Sequence, residues 1–102
     1  MSFRVRFTEI ARDDLERLYE FLLLQSNDDW RAAESALESI RRGVALLESS
    51  PFACRPATGG NPLIRELLIG FGATGYVALF EIEDAHTVTV LAVRHQREDD
   101  YR

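Results

Sequence analysis

Lysine is absent from this chain of 102 residues. All 12 basic residues are arginine, set against 17 acidic ones, for a formal net charge of −5. A protein that grips nucleic acid through its phosphates carries net positive charge or a dense basic stripe, and the chain as a whole has neither. Direct sequence-specific nucleic-acid binding is therefore not expected. Local arginine clusters still suit planar, bidentate contacts in partly desolvated interfaces, although an all-arginine composition also fits a GC-rich coding sequence. Cysteine is almost absent too. The single Cys54 rules out an internal disulfide and a zinc site built on several thiolates, and reads as a passive thiol beside a loop. Apolar runs extend only a few residues, far short of the roughly 20 that span a bilayer. No apolar segment of signal-peptide type follows Met1-Ser2. The expectation is a cytoplasmic protein without membrane association, cofactor or metal. Asp99 and Asp100 have no histidine or carboxylate partner at ligand spacing.

With 46% hydrophobic residues the chain has enough apolar side chain for one core and no length for a second. Residues 2–7 alternate, with Phe3, Val5 and Phe7 on one face and Arg4 and Arg6 on the other, which predicts a half-buried strand. Thr8 then offers a cap to a helix over residues 9–24, where Ala11, Leu15, Leu18 and Leu22 form an apolar stripe. A polar break at residues 25–29 leads to a second helix carrying Trp30, Ala33, Leu37, Ile40, Val44 and Leu47 as its core stripe. Gly43 inside that helix costs up to about 1 kcal/mol against alanine, so it marks a close contact. Ser49-Ser50-Pro51 stops the helix, and the breakers Pro56, Gly59, Gly60 and Pro62 make residues 52–62 a surface loop. Three strands follow, over residues 63–69, 76–82 and 87–94, the last two joined by Glu83-Asp84-Ala85-His86 as a hairpin. The order predicts an α+β fold, β-α-α-β-β-β, in which an antiparallel helical hairpin packs on one face of a mainly antiparallel four-stranded sheet.

The hairpin delivers Arg94-His95-Gln96-Arg97-Glu98-Asp99-Asp100-Tyr101 to the C-terminus, the densest polar cluster of the chain. Arg94 and Arg97 read either as solvated sheet-end charges or as a contact surface. His95 reads first as a structural or interface histidine. His86, in the link, reads as solvated, and Arg65, inside an apolar strand, as paired with an acidic neighbour, since an unpaired buried charge is costly. Leu22-Leu23-Leu24 supply more apolar surface than one helix stripe hides, which marks a partner site.

Taken together, the element order, Arg65-Glu66-Leu67, Gly75-Tyr76, the alternating Val77-Ala78-Leu79-Phe80-Glu81-Ile82 and the run Leu91-Ala92-Val93-Arg94-His95-Gln96-Arg97-Glu98 with near-terminal Tyr101 resemble the RelE/ParE superfamily. These are toxins of bacterial type II toxin–antitoxin pairs, and the C-terminal run looks most like the ParE branch. The resemblance implies a growth-arresting inhibitor of DNA gyrase, not an enzyme, silenced by a cognate antitoxin encoded beside it. That antitoxin would have a DNA-binding N-terminal domain and a flexible C-terminal part that wraps the toxin. It implies target contacts by Arg94, His95, Arg97, Glu98 and Tyr101, and antitoxin contacts by Tyr19, Leu22 and Leu23. The alternative branch is the RelE-like ribosome-dependent endoribonuclease, for which His95, Arg97 and Tyr101 would be the catalytic set. Against it, Val77 stands where such enzymes carry arginine, and only Arg55 and Arg65 remain near the preceding strand. A superfamily member that has lost toxicity is the third reading.

Overall fold

The computed structural model describes residues 2–25, 29–72 and 74–96. In chain order these form β1 (Arg4–Phe7), α1 (Glu9–Gln25), α2 (Trp30–Ala45), 3-10 turns at Leu46–Glu48 and Pro51–Ala53, β2 (Arg55–Pro56), β3 (Ile64–Phe71), β4 (Thr74–Ile82) and β5 (Thr87–His95). The expected α+β architecture is present, with both helices on one face of the sheet. The sheet has five strands in the order β1-β5-β4-β3-β2, not four. The added strand comes from the expected loop, where Arg55 and Pro56 pair with Glu66 and Arg65. Strand β1 runs parallel to β5, Val5 beside Val88 and Phe7 beside Val90, while the remaining pairs are antiparallel.

Local chemistry accounts for the helix ends. The Ala11 N–H donates to the Thr8 hydroxyl at 3.0 Å, and the Arg31 N–H donates to the Asp29 carboxylate at 3.0 Å, so each helix starts on a side-chain cap. The apolar spacing then buries Ala11, Leu18, Ala36, Ile40, Val44 and Leu47 against Leu67, Ile69, Ala78, Phe80 and Val90 of the sheet. Trp30 departs from its expected core role. As the first residue of α2 it is 61% exposed, and the stripe becomes buried only at Ala33.

Gly43 is where α2 meets β3 most closely. A Cβ there would lie 2.8 Å from Cγ1 of Ile69, a buried side chain with little room to retreat. Overpacking of this kind typically costs about 1–3 kcal/mol. Gly43→Val is therefore expected to lower the thermal midpoint by at least about 4 °C. Thermal unfolding followed by circular dichroism checks this, and an unchanged or raised midpoint contradicts the close contact.

Candidate functional site

Strand β5 is longer than β1, the edge strand beside it. Its pairing with β1 stops at Phe7 and Val90, and the register with β4 shifts immediately afterwards: Phe80 faces Val90, Leu79 faces Ala92, and Leu91 is the extra residue of a bulge. The edge beyond Val90 would be left with unsatisfied backbone groups, which are costly once buried. The chain solves this with α1. The Thr8 N–H donates to the Val90 carbonyl at 3.0 Å, and the Thr8 hydroxyl donates to the Leu91 carbonyl at 3.0 Å. One turn further along, the Asp14 carboxylate accepts the Val93 N–H at 2.9 Å.

Asp14 also forms an ion pair with the Arg94 guanidinium, with Arg17 a further neighbour at 3.5 Å. The paired side chains are 8% and 12% exposed. Arg94 is therefore neither a solvated sheet-end charge nor an open contact. Its guanidinium is engaged in holding α1 against β5. No motif points to Asp14 in the sequence, yet spacing does: it lies three residues after Ala11 and four before Leu18, on the apolar stripe itself.

His95, the last residue of β5, stacks edge-on against Tyr76 at 5.6 Å, and Tyr76 lies 6.1 Å from Phe71. Burial raises the Tyr76 phenol above its ordinary pKa by desolvation, so this residue stays neutral at physiological pH. Two anchors thus fix the end of β5, one on its edge and one on its helix-side face. Arg97, Glu98 and Tyr101, with Asp99 and Asp100, lie outside the described residues.

Among the described residues Arg65 has no acidic partner of the expected kind. Its guanidinium donates to the carbonyls of Pro62, Phe52 and Cys54, the last at 2.6 Å, and stacks over the Phe52 ring at 5.4 Å. Glu66 instead pairs with Arg55 at 3.1 Å. Desolvation raises the Cys54 thiol pKa and the nearby Arg65 charge only partly offsets it, so Cys54 is held as the unreactive thiol. Among the described residues no three His, Cys, Asp or Glu side chains gather as a metal site, and no helix is long and apolar enough to cross a membrane.

A second feature lies on the other flank of α1. A groove of about 900 Å³ opens between α1, α2 and β1, with Val5, Leu15, Ile40 and Val44 among its apolar lining and Arg12, Glu16, Glu20, Arg41 and Glu48 as its charged members. Tyr19 and Leu23 line it as well. Leu22 does not: its side chain packs against the core. Leu24 points elsewhere and is 77% exposed.

Two helices on one face of a mixed sheet match the fold of solved RelE/ParE-like proteins. The chain belongs to the ParE toxin family: the family model described as "ParE toxin of type II toxin-antitoxin system, parDE" matches residues 5–100. Similar solved structures include the chromosomal ParDE toxin–antitoxin system from P. aeruginosa, with a TM-score of 0.72 at 17% identity over 92% of this chain and 96% of that one. They also include the toxin–antitoxin complex RelBE2 from Mycobacterium tuberculosis, at 0.59 and 24% over 94% and 93%. A conserved hypothetical protein from Helicobacter pylori matches at 0.52 and 19% over 94% and 96%. No curated protein sequence matches the chain.

The Asp14–Arg94 pair yields a stability prediction. Asp14→Ala removes the carboxylate partner of a mostly buried guanidinium and the acceptor of the Val93 N–H together, and loss of one member of a buried pair costs about 3–5 kcal/mol. Urea unfolding should show a loss of at least about 2 kcal/mol, the lower figure allowing for the partial exposure of both side chains. A loss below about 1 kcal/mol, the size of an ordinary surface pair, contradicts the clamp.

Proposed function

We propose that this chain is a ParE-type toxin that inhibits DNA gyrase through its C-terminal segment and is silenced by an antitoxin helix seated in the α1–α2 groove. The observation that carries the choice of target is the engagement of the arginines of β2–β5. Arg55 is paired with Glu66, Arg65 with three carbonyls, and Arg94 with Asp14. Cleavage of RNA calls for cations that stabilise charge on the scissile phosphate. Val77, where a RelE-like nuclease would carry one, sits opposite Leu68 on β3. These commitments and the net charge of −5 support a protein target over an RNA substrate.

The target contacts then fall to His95 and to Arg97, Glu98 and Tyr101. The groove supports the second half of the reading. Its apolar floor fits the apolar face of an amphipathic helix, and the acidic Glu16 and Glu20 favour a basic flank on that helix. Tyr19 and Leu23 are its candidate contacts on α1; Leu22 acts from behind as core.

Purified protein should block gyrase supercoiling, and Arg97→Ala or truncation after Gln96, which leaves the Asp14–Arg94 pair in place, should reduce inhibition at least tenfold while antitoxin binding persists. Ribosome-phased messenger cleavage within minutes of induction, with gyrase unaffected, would overturn the assignment in favour of the nuclease. On the other flank, Leu23→Asp should weaken antitoxin binding at least tenfold by calorimetry without changing gyrase inhibition; unchanged binding would remove the antitoxin from the groove.

A further inference from the structure

Asp14 does more than the fold locally asks of it. The exposed edge of β5 needs one acceptor for the Val93 N–H, and an uncharged amide would serve. The carboxylate's charge answers Arg94, which turns back onto it, and the half-exposed Arg17 at 3.5 Å; of these, Asp14 and Arg94 are held largely away from water at 8% and 12% exposure. A buried ion pair is a poor source of stability, since apolar or neutral replacements of similar volume are often at least as stable. What such a pair does supply is a fixed geometry, because a mostly desolvated guanidinium tolerates few orientations around its carboxylate. Here the geometry is imposed on Val93 and Arg94, the two residues before His95, from a helix 79 residues away in sequence.

We propose that Asp14 is a positioning residue for target recognition: through the Val93 N–H and Arg94 it fixes the end of β5, and so the placement of His95 against the target. This rests on the reading that the C-terminal segment makes the target contacts. Tyr76 constrains the same strand end from the helix-side face through His95. Asp14 constrains it from the edge, and the groove on the other flank of α1 does not include Asp14.

The test removes the ion pair while keeping the backbone hydrogen bond. In Asp14→Asn/Arg94→Met the amide oxygen still accepts the Val93 N–H, no charge is stranded, and the methionine fills the arginine's apolar volume. The readout is growth arrest from a titratable promoter, together with the thermal midpoint and antitoxin affinity of the purified variant. The expected result is a midpoint within a few degrees of native, antitoxin affinity within about threefold of native (under about 0.7 kcal/mol), and at least a tenfold rise in the expression level needed for arrest. The single variant Arg94→Lys keeps a charge opposite native Asp14 without the guanidinium's planar geometry, and should arrest growth at an expression level between those of the native chain and the double variant. A stable double variant as toxic as the native chain overturns the proposal, because a purely structural pair predicts that outcome. Should the double variant melt early, Arg94→Lys and Arg94→Met compared at equal folded fraction decide the matter: equal potency overturns it. Arg97→Ala is the control for the underlying reading. If Arg97→Ala arrests growth normally, or the native chain causes no arrest, the C-terminal reading and the proposal fall together. If Arg97→Ala is inert while the double variant is fully toxic, only the positioning role fails.

Discussion

The structure depends on how one strand edge is closed. Strand β5 needs partners along nine residues, and β1 supplies them for only its first half. From Val90 onward the partner is α1, through the backbone and hydroxyl of Thr8 and then the carboxylate of Asp14. Because Thr8 also caps α1 through the Ala11 N–H, the start of the helix and its attachment to the sheet are one event. The bulge at Leu91 falls at the handover from strand to helix, where the edge changes partner and the twist changes with it.

This arrangement gives α1 three separate tasks. One flank holds the end of β5, the middle packs Ala11 and Leu18 into the core, and the other flank lines the groove with Leu15, Tyr19 and Leu23. The helix therefore carries more apolar surface than the core takes up, beside the exposed charges of Arg12, Asp13, Glu16, Arg17 and Glu20. The exposed Ile10, Phe21 and Leu24 are the remainder of that surplus. The surfaces proposed for target and antitoxin are therefore joined by one helix, on separate flanks of it.

Much of this was legible in the chain. The two helices, the Thr8 cap, the close approach at Gly43 and the β4–β5 hairpin follow from spacing and composition, because each is set by neighbours in sequence or by a single buried face. The two-residue strand β2 was not, since Arg55-Pro56 has no strand signal of its own and pairs only because β3 is already there. Trp30 misled because periodicity assigns a face but not how far along the helix the sheet extends. At the site, the C-terminal run was visible as a charged cluster, but Arg94 looked like a contact residue. Its partner Asp14 is distant in sequence, and a carboxylate on an apolar stripe declares itself only through its spacing from Ala11 and Leu18. Arg65 was recognised as needing satisfaction; that backbone carbonyls supply it depends on the path of residues 52–62, which no local signal fixes.

The central claim is that α1 grips the end of β5 through Asp14, and native-state hydrogen exchange reads it at one amide. The Val93 N–H should exchange as slowly as the ladder amides of Val88 and Val90. In Asp14→Ala it should exchange at least about a hundredfold faster relative to those two, whose partners are untouched. A Val93 amide that exchanges freely in the native chain, or keeps its protection relative to Val88 and Val90 without the carboxylate, would contradict the account.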